Sequence, residues 1–409
     1  SSIALRRPFH SDARTVSKKM ANLDVKALPR SDWPEGASLD EKQVAALHVA
    51  CHEDTAFVLG WHSLASDLAV VRVWHSALDA ECDVSLIVGG HRLSMERRCG
   101  WLYEVVLENA TGVPQELQHY SVEVARHEQV PFRIYDPYAY SESMISDAEM
   151  NQLQCGFLSN IGDVMGCHYV QKAEVFGLRF VVWAPRASFV RVVADFNGWD
   201  GRAHPMKRRR IKDAFSGVWE LFVPFGTQYA DVPFGSRYAY RIKGYNGRDI
   251  DKIDPFGQQF EVPPNHSTVV SGWNDPHGEN GFIWSDDEWL AGRRQLYLSD
   301  EYRRKPMAIY EVHLPSWRRT LDGNPLNYRD IAPLLIEHVQ VLHFNWIELL
   351  PIAHHPFDGS WGYQATGQFA VYSRLGSPND FKFFVDELHK AGVGVIVDFV
   401  PAHFCKDEW

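Results

Sequence analysis

The chain has 409 residues and a formal net charge of −11, with 45% hydrophobic and 23% charged residues. That balance belongs to a folded globular protein and excludes wholesale disorder, while the acidity disfavours a nucleic-acid backbone as partner. No apolar run approaches the roughly 20 residues that span a bilayer, and the length predicts two or three domains.

In chain order, Ser1–Lys19 is rich in Ser and Arg, with Asp12 its only acid. The segment lacks the apolar stretch of a secretory signal, and its composition leaves an organelle transit segment or a plain tail as alternatives. Residues 1–45 are expected as an N-terminal tail, and the chain starts on Ser1, which processing or truncation would explain. Beyond it, one β-rich pattern occurs twice. The first copy, residues 46–140, runs LAVVRVW, CDVSLIV, MERRCGWLYEVVLE, YSVEV and FRIYDPYAY. The second, residues 166–275, runs LRFVVWAP, SFVRVVADFNGW, SGVWELFVPFG, RYAYRIKG and KIDPFGQQF. Trp74 and Trp183 are 109 residues apart, Met95 and Met206 111, and Asp136 and Asp254 118, a slow drift that short loop insertions between kept strands produce. Short alternating stretches rich in Val, Tyr, Phe and Trp predict two tandem immunoglobulin-like β-sandwiches. Residues 141–165 link them and contain the helix-like SESMISDAEMNQL.

Aromatic residues reach 13%, with 14 Trp. Flat rings fill cores, and they also stack on sugars. Trp183 and Trp219, in apolar strands, are expected in the core. Trp199, beside the hairpin-favouring Asn197-Gly198 pair, is open between packing and a sugar platform. Lys207–Arg210 (KRRR) reads as a solvated loop rather than a polyanion patch. The cysteines Cys51, Cys82, Cys99, Cys155, Cys167 and Cys405 show no CxxC spacing, which points to free thiols in a reducing compartment, the cytoplasm.

After a second linker (276–304), residues 305–409 alternate strand and helix. Met307–Leu314, Trp346–Leu350 and Val393–Val400 are predicted strands; Asn327–Leu342 and Asn379–Ala391 are predicted helices, the first capped by Asn327 or Asp330. Nearly continuous apolar strands imply a parallel sheet covered by helices. No GxGxxG follows the first strand. Polar residues collect at strand C-terminal ends: Glu311, His313, Glu348, Asp398 and His403. That favours a β/α barrel over a dinucleotide-binding sheet. Three strands of eight cannot close a barrel, so the chain is expected to be a fragment of one. Taken alone, Asp398 is a polar residue at a strand end, His403 a core or capping residue, Tyr363 loop packing and Glu348 structural. His354, His355 and Asp358 raise a metal cluster, but neighbouring histidines lack facing geometry; no metal and no cofactor are expected.

Three segments carry a family resemblance: Ala308–Arg318 (AIYEVHLPSWR), His355–Gly367 (HPFDGSWGYQATG) and Val397–Phe404 (VDFVPAHF). Together they resemble the α-amylase superfamily of glycoside hydrolases, and within it the 1,4-α-glucan branching enzymes. Phe176–Pro185 with Asp195–Trp199 is similar to the glucan-binding sandwich before such barrels, and the first copy to the extra N-terminal module of bacterial-type members. The resemblance implies two sandwiches followed by the first three strands of a (β/α)8 barrel. It also implies an α-glucan as partner (glycogen, amylose or amylopectin) and a retaining transfer that makes 1,6 branches. By it, Tyr363 stacks on the sugar at the cleavage subsite and His403 donates a hydrogen bond to that sugar. Asp398 organises the carboxylate region, and Asp358, Trp361 and Gln364 belong to a supporting loop. The nucleophile and the acid/base would lie beyond residue 409, so this polypeptide alone is expected to make no branches. A debranching-type hydrolase, or a non-catalytic glucan-binding protein, are the competing expectations.

Overall fold

The computed structural model describes residues 25–403 except 50–51, 53–54, 65–66, 111–112, 114–117, 141, 212–213, 273–281 and 300, together with 405. The Ser/Arg-rich stretch Ser1–Lys19 lies outside the described residues.

The first β unit is two antiparallel sheets about one core. Lys26–Ala27, Leu102–Glu108, Leu68–Trp74 and Gly60–Ser63 form one, with Glu96–Cys99 paired to Leu102–Glu108; His91–Ser94, Asp83–Val88, Ser121–Ala125 and Phe132–Ile134 form the other. Val71, Val73 and Val105 meet Val84, Leu86 and Val122 between them. Part of the segment expected as a tail is ordered structure. Lys26–Ala27 extends the first sheet, and Asp40 caps the helix Glu41–His48 through a capping box with Gln43. The sheet's outer face is itself apolar at Val70 and Val106, so covering it with this segment removes it from water. Glu104, fully buried there, accepts a hydrogen bond from Leu39 N (3.1 Å) and pairs with Arg72 (3.4 Å).

The second unit repeats the plan. Gly166–Lys172, Val175–Trp183, Ala214–Gly226 and Lys207–Ile211 face Ala187–Ala194, Arg237–Gly244, Asp249–Lys252 and Thr268–Val269. Phe180, Val192, Trp219 and Tyr238 fill the space between them. Three expectations need correcting. Trp219 is buried, but Trp183 is 61% exposed. It ends its strand, and Gly217 on the neighbouring strand, at φ +87, leaves room for the indole over its backbone. Asn197-Gly198 makes no two-residue hairpin: Ala187–Ala194 pairs with Arg237–Gly244, and Asp195–Asn197 winds a 3₁₀ turn instead. Lys207–Arg210 is not a loop but an edge strand on Ala214–Gly226; Arg208 lies over Phe215 and Trp219, and Arg209 pairs with Asp147.

Each unit closes on a buried aspartate. Asp136 accepts from Tyr120 Oη (2.5 Å) and Tyr138 N (3.0 Å); Asp254 accepts from Tyr238 Oη (2.8 Å), Tyr240 Oη (3.0 Å) and Phe256 N (2.9 Å). Burial pushes both carboxyls up to about 6, against the pull of those donors.

The last part is a parallel sheet of Ile309–Val312, Trp346–Leu349 and Gly394–Val397, with the middle strand central. Tyr310, Val312, Ile347, Leu349 and Val395 face the helices Tyr328–Val341 and Pro378–Lys390 in one core. Asn327 caps the first helix by accepting from Asp330 N; Ser377 and Asp380 form a capping box on the second, where Pro378 takes the first helical position. The alternate residues Ile309, Glu311, Trp346, Glu348 and Ile396 fall on the other side, where Ile309 stays 41% exposed. Among the described residues no helix is long and apolar enough to cross a membrane.

Candidate functional site

The loop between the second parallel strand and the helix Pro378–Lys390 crosses the C-terminal end of the sheet. Its tip is a 3₁₀ turn, Asp358–Ser360, followed by two left-handed residues, Trp361 (φ 55) and Gly362 (φ 86). Two hydrogen bonds close it, from Trp361 N to Asp358 O and from Tyr363 N to Ser360 O, both 3.0 Å. A Cβ on Gly362 would overlap the Pro351 carbonyl, so only glycine lets the loop return this close to the strand end.

This turn brings Tyr363 to Asp398. The phenol donates to Asp398 Oδ2 at 3.1 Å, and Asp398 is itself fixed by its N–H to Leu349 O, also 3.1 Å. Glu311 and Glu348, in register on adjacent strands, lie close enough to act on the same phenol. Desolvation first, then the bond to Asp398 and the negative charges of Asp398, Glu311 and Glu348, push the phenol's pKa above its ordinary value. Tyr363 is therefore a neutral, partly exposed ring with its hydroxyl pinned to a carboxylate.

The other predicted residues surround this pair unevenly. Trp361, 58% exposed, has its ring 5.8 Å from that of His313, at the end of the first parallel strand. Asp358 accepts from Tyr372 Oη and pairs with Arg374 (3.1 Å), so its carboxylate braces the loop. Gln364 is exposed beside Tyr363. His403 is exposed with a left-handed backbone (φ 56), and among the described residues no hydrogen bond joins it to Tyr363 or Asp398. The structure thus brings together Tyr363, Asp398 and the two glutamates, without a hydrogen bond from His403 to this group among the described residues. His354 and His355 are both committed to ring stacking, on Phe260 (4.7 Å) and Tyr372 (3.9 Å). Burial, then His355, Arg374 and His266, hold His354 down to about 3, so it is neutral.

The sandwich reaches this loop directly. Phe256 stacks on Phe369 (4.9 Å), Phe260 on His354, and Ser373 Oγ donates to Glu261 O at 3.0 Å. Gly367 leaves room for the Phe260 ring, which a Cβ there would strike. In the same sandwich, Trp199 also has a left-handed backbone (φ 61) and donates its indole N–H to Asp195 Oδ1 at 3.0 Å. Arg237 clamps that carboxylate from Nη2 (2.9 Å), Nε (3.0 Å) and its backbone N (2.8 Å). Its bonds to Arg237 outweigh desolvation and hold Asp195 down to about 2. Trp199 is half-buried, with its indole N–H held on the carboxylate that Arg237 clamps.

Sequence reasoning missed His313 as Trp361's neighbour and Glu348 as part of the field on Tyr363. Their position at strand ends was the available signal. It also missed the ties from Phe256 and Phe260, which no local pattern encodes.

Residues 164–257, most of the second sandwich, match the family described as Carbohydrate-binding module 48 (Isoamylase N-terminal domain). Over most of its length the chain is homologous to proteins named 1,4-alpha-glucan branching enzyme GlgB. It is 36% identical to that of Synechococcus elongatus over 84% of this chain and 48% of the relative, and 38% identical to that of Myxococcus xanthus over 87% and 45%. To the Methylococcus capsulatus enzyme it is 42% identical over 66% and 34%. The chain spans about half the length, or less, of these curated relatives. Among solved structures, a putative alpha amylase from Salmonella typhimurium aligns at a TM-score of 0.41 with 22% identity, over 59% of this chain and 34% of the other.

Proposed function

We propose that this chain is the glucan-handling front part of a 1,4-α-glucan branching enzyme. In this reading residues 46–140 and 166–275 are two immunoglobulin-like sandwiches, and 305–409 are the first three strands of a (β/α)8 barrel. The observation that carries it is the Tyr363–Asp398 hydrogen bond beside Glu311 and Glu348, at the C-terminal end of a parallel sheet, in a homologue of branching enzymes. Barrel active sites form at that end.

The chemistry asks for this kind of wall. Retaining cleavage of a glycosidic bond passes through an oxocarbenium-like state flanked by two carboxyl groups about 5–5.5 Å apart. Negative charge beneath the ring stabilises that state, and a neutral phenol offers a flat face on which the sugar stacks. Tyr363 and Asp398 serve one glucose unit, Trp361 and His313 extend the surface along the loop, Gln364 supplies an exposed amide, and His403 adds a donor when sugar is present. Transfer to a hydroxyl rather than to water requires an acceptor chain held in place, and the sandwich platform at Trp199 supports that role. The partners are α-glucans such as glycogen, amylose or amylopectin, and the compartment is the cytoplasm.

We assign the nucleophile and the acid/base to no residue of this chain. The test is amylose incubated with the purified chain and read by iodine-complex spectra and linkage analysis. No spectral shift and no new 1,6 linkages are expected. New branches would overturn that assignment, and loss of existing 1,6 linkages would favour a debranching hydrolase.

A further inference from the structure

The turn that presents Trp199 is held by the first β unit as well as by its own sandwich. Arg202, in the same turn, lies flat over the Trp101 ring, with its guanidinium carbon 4.3 Å from the ring centroid. Asp200 fixes that guanidinium on two sides, from Nε (3.0 and 3.1 Å) and Nη2 (2.6 Å). Trp74 donates its indole N–H to Arg202 O at 3.2 Å, packs 5.6 Å from Trp101, and is itself met edge-on by His48 at 5.0 Å. Trp74 is 3% exposed and sits in the first unit's packed region with Leu47, Leu102 and Tyr138. Within the turn, Asp200 N bonds Asn197 O (3.1 Å) and Ala203 N bonds Asp200 O (3.2 Å). Trp199 therefore stands between two anchored points, Asp195–Arg237 on one side and Arg202–Trp101 on the other.

We propose that Trp101 is a positioning residue for the glucan platform: through Arg202 it fixes the turn so that the Trp199 ring is preset for an α-1,4-glucan. The first β unit then contributes to sugar binding without touching sugar. A turn held on one side only would have to be ordered by the ligand, and that ordering subtracts from affinity. This rests on Trp199 being a platform, and the experiment separates the two claims.

The whole chain, labelled with ¹⁵N-tryptophan, is titrated with maltoheptaose while the indole N–H resonance of Trp199 is followed, assigned by its loss in Trp199→Ala. That resonance is expected to shift with ligand. Its apparent Kd is expected to rise roughly three- to fivefold in Trp101→Ala and in Arg202→Ala, the range of one cation–π contact, and to return to within about twofold in Trp101→Phe, which keeps a ring face for the guanidinium. Should Trp101→Ala lose its fold by circular dichroism, Arg202→Ala decides. An unshifted Trp199 resonance overturns the platform reading and this proposal with it. A shifting resonance with the same Kd in Arg202→Ala, or a Trp101→Phe protein as weak as Trp101→Ala, overturns the positioning role alone.

Discussion

Gly362→Ala tests the loop that makes the candidate site. Alanine at φ 86 carries a left-handed backbone penalty of about 1 kcal/mol. Its Cβ also overlaps the Pro351 carbonyl oxygen, which is backbone and cannot rotate aside. Relieving such a clash costs roughly 1–3 kcal/mol, giving about 2–4 kcal/mol in all. Part of this is escaped by lifting the turn off the strand end, and the turn carries Tyr363. The expected result is a lower urea midpoint together with Tyr363 displaced from Asp398. Urea unfolding followed by circular dichroism reads the first, and a crystal structure of the variant reads the second. A variant within about 0.5 kcal/mol of wild type, with the Tyr363–Asp398 bond intact, would refute the reasoning.

Other consequences are equally open to measurement. Asp398→Asn removes one of the negative charges acting on Tyr363, so the phenol is expected to ionise at lower pH; a ¹³Cζ titration that shows no change or a rise contradicts the shared field. Glu104→Ala strands the buried Arg72 guanidinium and the Leu39 N–H, and is expected to cost about 3–5 kcal/mol in urea unfolding, partly recovered by adding Arg72→Leu. The Asp254 carboxyl, raised to about 6 from its ordinary 3.8, binds its proton more tightly in the folded chain. Its stabilising contribution is therefore complete below about pH 4 and lost as pH rises through about 6. Asp254→Asn is expected to flatten the fall in stability between pH 4 and 7.5 by up to about 3 kcal/mol, and an unchanged slope contradicts this.

The parts of the fold set by periodicity were readable from residues alone. Apolar runs marked the three parallel strands, although each is shorter in the structure: Val393–Val400 contracts to Gly394–Val397, because its neighbour Trp346–Leu349 offers no residue to pair with beyond Leu349. The doubled β unit was visible in the spacing of Asp136 and Asp254, but not the reason for it, a carboxylate that gathers tyrosine hydroxyls from a neighbouring strand. Where tertiary partners decide, local reading failed. Four successive cations at Lys207–Arg210 form a strand because Phe215, Trp219 and Asp147 receive them. Trp183 is exposed because its strand ends there beside a glycine. At the site, family motifs located Tyr363 and Asp398, which meet, and His403, which among the described residues makes no hydrogen bond to either.

Two ring stacks and one hydrogen bond, Phe256 on Phe369, Phe260 on His354 and Ser373 on Glu261, bolt the second sandwich to the loop bearing Tyr363. Sliding one past the other must break all three together. Any ligand long enough to touch both surfaces would make its second encounter intramolecular, at a local concentration set by its own slack.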